Sequence, residues 1–259
     1  MRVNICNVAV DNCSFNEAVD KIIFQVKNTS SPKYVVTPNA HHIVMLQRDS
    51  FFREIYRNAF LSVPDGVSLL WAANFLGTPL KERINGTDLF EQLCAVAADK
   101  NLKVFLLGGR PGAAENAKYV MQSRYPGLNV VGTYCPPYGF EKKTHELNSI
   151  SSQISKADPH LLFVGLGAPK QEKWMYEHYE KLNVPVSLGI GVSFELVSNM
   201  VRRAPVSMQR LGLEWLFRLV MEPKRLWQRY VIGNPYFIWL VIRQKLRFSR
   251  SSEDNYKCV

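Results

Sequence analysis

Through its first 190 residues the chain alternates two kinds of pattern. Short apolar, β-branched runs at 3–10, 34–37, 61–63, 103–107, 129–133, 160–164 and 184–189 read as strands. Between them, helical spacing of apolar positions predicts helices at 15–27, 66–75, 87–100, 111–124, 143–156 and 169–181. Ser14 with Glu17 forms a capping box before the first helix. Pro111 and Pro169 suit a first helical turn, where the missing N–H costs nothing. Strand and helix in alternation predict βαβ units and an α/β fold with a mostly parallel sheet flanked by helices.

In such sheets ligands bind beyond the carboxyl ends of the strands. The unusual segments fall there: VVTPNAHH after the second strand, SVPDG after the third, LLGGRPG after the fourth, VGLGAPKQE after the sixth and GIGVSFE after the seventh. SVPDG places one carboxylate, Asp65, at a strand tip beside a glycine. Such an aspartate either forms the turn or caps the next helix, or it reacts. VGLGAPKQE sets two glycines before a helix start, a weak phosphate signal by itself. The G-x-G-x-x-G fingerprint is absent, which disfavours a nicotinamide oxidoreductase. No D-x-D pair or clustered metal-ligand spacing occurs, so no metal is expected. His41 and His42 are neighbours after the second strand and read first as structural.

The pattern changes near Met200. LGLEWLFRLVMEPKRLWQRYV and NPYFIWLVIRQKLRF interleave Trp, Phe, Tyr and Leu with Arg and Lys at helical spacing, and Pro223 and Pro235 are expected to break this stretch into short helices. Residues 1–200 therefore read as a core and 201–259 as a basic amphipathic appendage. Leu213, Trp215 and Leu216 are expected to pack on the core, and the part after Pro223 to meet a membrane surface.

Charge sharpens that division. The formal net charge is +10, and eleven Lys or Arg between Arg202 and Arg250 against Glu214 and Glu222 supply nine of it. So polarised a chain calls for an anionic partner: phosphate groups, an anionic membrane surface or nucleic acid. Continuous apolar runs such as FIWLVI suit lipid better than bases, so nucleic acid is not expected. A basic membrane- or nucleic-acid-binding protein without catalysis is the competing reading. At 259 residues and 47% hydrophobic composition the chain can bury a large core. No uncharged apolar stretch reaches 18 residues, so no transmembrane helix is expected. The first residues carry no secretory pattern. Five scattered cysteines, none in a C-x-x-C pair, read as reduced thiols of a cytosolic protein.

TPN at 37–39, PDG at 64–66, RINGTDL at 83–89, FLLGGRPG at 105–112, VGLGAPKQE at 164–172 and RRAPVSMQRLGLEWLFRL at 202–219 together resemble the WecG/TagA/CpsF family of glycosyltransferases, over about residues 3 to 235. The resemblance implies a Rossmann-like core whose C-terminal appendage helps close the site and meets the inner face of the plasma membrane. It implies transfer of a hexose-type sugar (glucose, N-acetylmannosamine or N-acetylmannosaminuronate) from a UDP-sugar donor to a lipid-linked saccharide acceptor on undecaprenyl pyrophosphate. Such transfer serves cell-surface polysaccharide assembly and proceeds with inversion and without a catalytic metal; a homo-oligomer is possible.

By the same likeness Asp65 is the general base. Arg83 matches the R-x-x-G arginine and is the first candidate for the pyrophosphate or acceptor phosphate. Arg203, Arg210, Arg218, Arg225 and Arg229 are the second candidates, for phosphate or for membrane. A planar guanidinium binds phosphate bidentately. Thr37, Asn39 and Gln171 match positions near donor and acceptor, where they would bind sugar hydroxyls or position Asp65. Gly108, Gly109 and the Tyr138 segment would approach the UDP. The chain departs from the family's G-G-x-F-D-x-x-x-G in reading GVSFELVSN, where Glu195 could accept from the ribose hydroxyls. TYCPPYGFE is closer to the exopolysaccharide glucosyltransferase branch.

Overall fold

The first apolar run, residues 3–10, is a hairpin and not one strand. In the computed structural model, which describes residues 1–28 and 31–256 and excludes the side chains of residues 210 and 248–256, β1 (Arg2–Ile5) pairs antiparallel with β2 (Val8–Asp11). Cys6 and Asn7 both take positive φ, at 50° and 65°. Two such residues make the two-residue turn whose twist matches the strands it joins. The turn lacks an Asn-Gly signature, which is why the apolar pattern reads straight through it.

α1 (Phe15–Lys27) is closed by the Ser14–Glu17 capping box, as its spacing predicts. β3 (Lys33–Val36) is followed by α2 (Ala40–Leu46) and α3 (Ser50–Asn58), two helices that the apolar spacing does not announce. Both are short and start on side-chain caps, Asn39 and Asp49. β4 (Leu61–Ser62) and α4 (Val67–Leu76) come next. α5 (Gly86–Asp99), β5 (Lys103–Gly108), α6 (Ala113–Arg124), β6 (Asn129–Tyr134), α7 (Thr144–Ala157), β7 (Leu161–Gly165), α8 (Lys170–Leu182), β8 (Val186–Gly189) and α9 (Ser193–Val197) complete the alternation. Pro111 lies in the turn before α6 and Pro169 at the N-cap of α8, so each sits just before the first helical turn expected of it.

The sheet is parallel, with order β4-β3-β8-β7-β5-β6. Its middle strands are almost wholly buried, as helices on both faces require. After β5 the chain turns outward to β6, and after β7 it turns the other way to β8. The crevice between β5 and β7 is therefore the switch point of the sheet.

Beyond residue 200 come α10 (Val206–Arg210), α11 (Glu214–Met221) and α12 (Pro223–Trp227). A π-helical turn (Gln228–Ile232) then leads into α13 (Gly233–Tyr256). Pro223 opens a helix as its chemistry favours. Pro235 does not break one: it sits in the first turn of the 24-residue α13, directly after the π turn. There the Gly233 N–H bonds Gln228 O, five residues back. A widened turn accommodates the ring and the missing donor that would kink a regular helix.

The packing of the tail also reverses expectation. α11 buries no residue, and Trp215 and Leu216 are half-exposed. It is α13 that enters the core, with Phe237, Leu240 and Val241 joining the hairpin, α2 and α4 in one apolar cluster. Gln244 fastens it further, accepting from Cys6 N–H and donating to Asn4 O. Among the described residues no helix is long and apolar enough to cross a membrane. Cys6, Cys13, Cys94 and Cys135 are free thiols; Cys258 lies outside the described residues.

Candidate active site

The segment between β4 and α4 is pinned by its backbone. Val63 N–H bonds Val36 O at 3.0 Å, Asp65 N–H bonds Pro38 O at 2.8 Å, and Ile84 N–H bonds Pro64 O at 2.8 Å. Gly66 follows at φ 138°, a conformation that L side chains rarely adopt. These constraints hold Asp65 at the strand tip, facing an open cavity of about 1050 Å³ between the sheet's carboxyl end and the tail.

Asn85 holds the carboxylate. Its Oδ1 accepts from Thr87 N–H at 2.9 Å, which caps α5, so its amide nitrogen must face the other way and donates to Asp65 Oδ1 at 2.9 Å. Burial pushes the Asp65 carboxyl up to about 6, and the nearby Glu214 raises it too; Arg83, Arg218 and Arg229 pull in the opposite direction. A carboxyl in this range is mostly ionised at neutral pH yet basic enough to take a proton.

Around Asp65 the cavity gathers Thr37, Asn39, Arg83 and Gln171 from the core and Arg218, Arg225 and Arg229 from the tail. Thr37 Oγ1 donates to Gly189 O at 3.0 Å. Asn39 caps α2 through Oδ1, which also accepts from Arg229 Nη2 at 3.4 Å. Gln171 is fixed at both ends, accepting from Gly191 N–H at 3.0 Å and donating to Glu172 at 2.8 Å. Burial pushes the Glu172 carboxyl to about 7, against the pull of that Gln171 bond. His41 and His42 also line the cavity, and His42 Nδ1 lies 2.7 Å from Tyr56 Oη. Burial, aided by Arg229, lowers both imidazoles, His41 to about 4, so each is neutral at neutral pH.

The arginines differ in how they are satisfied. Arg83 lies 3.6 Å from Glu214 and 4.0 Å from Asp88. Arg225 pairs with Glu222, which also receives Arg110 at 2.7 Å. Arg218 and Arg229 have no carboxylate within ion-pair distance among the described residues. Burial, with Arg218 nearby, draws the Arg229 guanidinium below its usual value. The nearby acid is Asp65, whose carboxyl both guanidiniums pull down without forming an ion pair.

The remaining expected residues stand elsewhere. Arg203 is bound to Asp88 and does not line the cavity, and the Arg210 side chain lies outside the described residues. Tyr138 is 98% exposed, with Lys170 Nζ 5.5 Å from its ring centre. Gly108, Gly109 and Glu195 lie at the switch point, beside the cavity and not in its wall. A Cβ on Gly108 would meet Gly165 O at 2.7 Å, so that glycine lets two strand ends approach. Glu195 Oε1 accepts from Arg110 N–H at 2.9 Å, while its buried Oε2 has no partner.

Asn85 and Glu214 carry no site role in the sequence reading. Asn85 stands in the quoted RINGTDL motif, where Asn before G-T-D is a helix-cap signal, but a second role for its amide is visible only in three dimensions. Glu214 comes from α11, some 150 residues from Asp65 in the chain.

A parallel sheet with a carboxylate and several cations in a cavity at its carboxyl end can accept a proton beside an anionic group. The sequence matches the family described as "Glycosyl transferase WecG/TagA/CpsF family" over residues 3–251, past the 235 or so to which the resemblance extends. The chain belongs to this family and is a hexosyltransferase. Among its relatives are proteins of Staphylococcus aureus strains MW2, NCTC 8325 and N315, each named N-acetylglucosaminyldiphosphoundecaprenol N-acetyl-beta-D-mannosaminyltransferase. Each is 28% identical over 251 residues, covering 96% of both chains.

Proposed function

We propose that this chain moves a hexose-type sugar from UDP to a saccharide on undecaprenyl pyrophosphate, inverting the anomeric centre without a divalent metal. The observation that carries this reading is the meeting of Asp65 with arginines from core and tail in one cavity. Asp65 Oδ1 is occupied by Asn85, which leaves Oδ2 for the acceptor hydroxyl. In the displacement, that hydroxyl's oxygen bonds the anomeric carbon and its proton passes to Asp65. The bond from that carbon to the UDP oxygen breaks, and its electron pair leaves on the β-phosphate.

Arg83 balances the departing charge where a metal would otherwise be needed, while Arg218 and Arg229 take the pyrophosphate of the acceptor. Arg225 stands behind them, shared with Glu222. The nucleotide fits the switch point, with Gly108 and Gly109 close to the strand ends and the unpartnered Glu195 Oε2 as acceptor for ribose hydroxyls. The relatives' names favour an N-acetylmannosaminyl donor; the TYCPPYGFE segment favours a glucosyl one.

The tail supplies the membrane contact. On α13 a face of Trp239, Arg243, Leu246 and Arg247 points away from the cluster that buries Phe237 and Val241, with Arg243 5.2 Å from the Trp239 ring centre. Aromatic and basic groups on one helix face suit an anionic bilayer surface, which supports peripheral binding on the cytoplasmic face.

The test mixes the purified chain with UDP-glucose, UDP-N-acetylmannosamine or UDP-N-acetylmannosaminuronate and a short-chain prenyl-pyrophosphate saccharide. UDP release that requires both substrates, survives a chelator and gives an inverted linkage is expected. Release in the absence of acceptor only, or loss of turnover on chelation, would contradict the reading.

A further inference from the structure

The cavity is polar at one end and apolar at the other. α4 leaves the Asp65 turn and runs along one wall, placing Trp71 and Phe75 on the cavity face. α13 forms the facing wall with Phe237, Ile238, Val241 and Ile242, spaced at one helical face. Contacts at the two ends fix their relative direction. Arg229, just before α13, reaches Asn39 and lowers the Asp65 carboxyl. Lys245, near the far end of the groove, lies 5.9 Å from the Phe75 ring centre. Both helices thus lead away from the reacting carboxylate, past the arginines, and into apolar surface over about 12 Å, at 1.5 Å per residue for eight residues.

Phe237 and Val241 are buried in the core cluster and form the base of this groove. Trp71, Phe75, Ile238 and Ile242 are between 45% and 60% exposed, so the groove's sides lack a protein covering. Four large apolar side chains held around one exposed trough are unusual on a globular surface and mark a place where something apolar lies.

We propose that this groove between α4 and α13 seats the first isoprene units of the acceptor lipid, so that the enzyme reads the prenyl chain as well as the sugar and pyrophosphate. The proposal rests on the transfer reading above and goes beyond it by giving the lipid a protein site of its own. The occupant follows from order along the cleft. A sugar hydroxyl at Asp65, a pyrophosphate at Arg218 and Arg229, and a hydrocarbon beside Trp71 and Phe75 succeed one another as they do in a prenyl-pyrophosphate saccharide. The outward face of Trp239, Arg243 and Arg247 adjoins the groove and shares Ile242 with it, so bilayer contact and prenyl binding use neighbouring sides of one helix.

Direct binding tests this without any transfer step. Titration calorimetry compares farnesyl pyrophosphate with methyl pyrophosphate on the full chain, and on Phe75→Ser and Ile238→Ser; both positions are exposed enough for the fold to tolerate serine. Farnesyl pyrophosphate is expected to bind at least about tenfold tighter, since each buried methylene favours association. Each substitution is expected to weaken it about five- to tenfold, leaving methyl pyrophosphate and co-sedimentation with anionic phospholipid vesicles unchanged. Equal affinities for the two probes would overturn the proposal. So would substitutions that abolish vesicle binding while sparing farnesyl preference, because the patch would then be bilayer contact alone. Absence of UDP release in the transfer assay would instead sink the transferase reading and leave the prenyl preference measurable.

Discussion

The sheet-side wall of the cleft and the tail-side wall hold their polar groups in opposite ways. On the sheet side Thr37, Asn39, Gln171 and Asp65 are each tied to backbone or to a neighbouring side chain, and the loop that carries Asp65 is fixed by three backbone bonds. On the tail side Arg218 and Arg229 have no carboxylate within ion-pair distance among the described residues, α11 buries nothing, and several large apolar side chains face the open cleft. The first wall is satisfied within the protein; in the proposed transfer, substrate completes the second. Groups that move protons need fixed geometry, whereas groups that neutralise a diphosphate or hold a lipid need only be present at the right end of the cleft. A core fold for the acid and a helical tail for cations and hydrocarbon meet those two demands separately.

The comparison can be broken most severely at Asp65. Asp65→Asn is expected to lower kcat by about 100- to 10,000-fold while UDP affinity stays near wild type; steady-state kinetics with a binding titration reads both. On the other wall, Arg229→Ala is expected to cost about 10- to 100-fold in kcat/KM, the usual loss when charge-assisted hydrogen bonds to a bound pyrophosphate are removed. Arg229→Lys should recover only part of it, because the charge returns without the fork.

Asn85→Ser sharpens the difference between holding and neutralising. Serine keeps the α5 cap but lacks the amide N–H given to Asp65. The ionised carboxylate loses its donor, its pKa moves up, and activity at pH 7 should fall by about tenfold. Glu214→Gln has the smallest expected effect and the opposite sign. Removing a neighbouring negative charge lowers the Asp65 pKa, shifting the acid limb of the pH profile downward by less than about one unit.

Legibility in the sequence follows the same boundary. The β3–β8 alternation, the ends of α1 and the position of Asp65 were readable because strand period, capping box and turn residues are local signals. The hairpin at Cys6–Asn7 was not, since two non-glycine residues with positive φ leave no mark in an apolar run. α2 and α3 escaped because each is too short for its apolar spacing to accumulate. In the tail, Pro235 misled: its effect depends on the π turn before it, and a proline at a widened turn continues the helix. The arginines could be named as a group, yet which of them lacks an acid depends on Glu222, Asp88 and Glu214, whose positions the chain order does not disclose. Glu195 and Gly109 were legible as chemistry but not as neighbours of the switch point, apart from the main cavity.

The pH dependence of kcat/KM for the unmodified enzyme tests most directly whether a buried carboxylate in the cleft takes the acceptor's proton. Asp65 must be ionised to act, so activity should rise with pH through a single step near pH 6, fall about tenfold per unit below it, and hold level from there to neutrality. A profile flat from pH 5 to 8, or an acid limb unchanged in Asp65→Asn, would contradict that role.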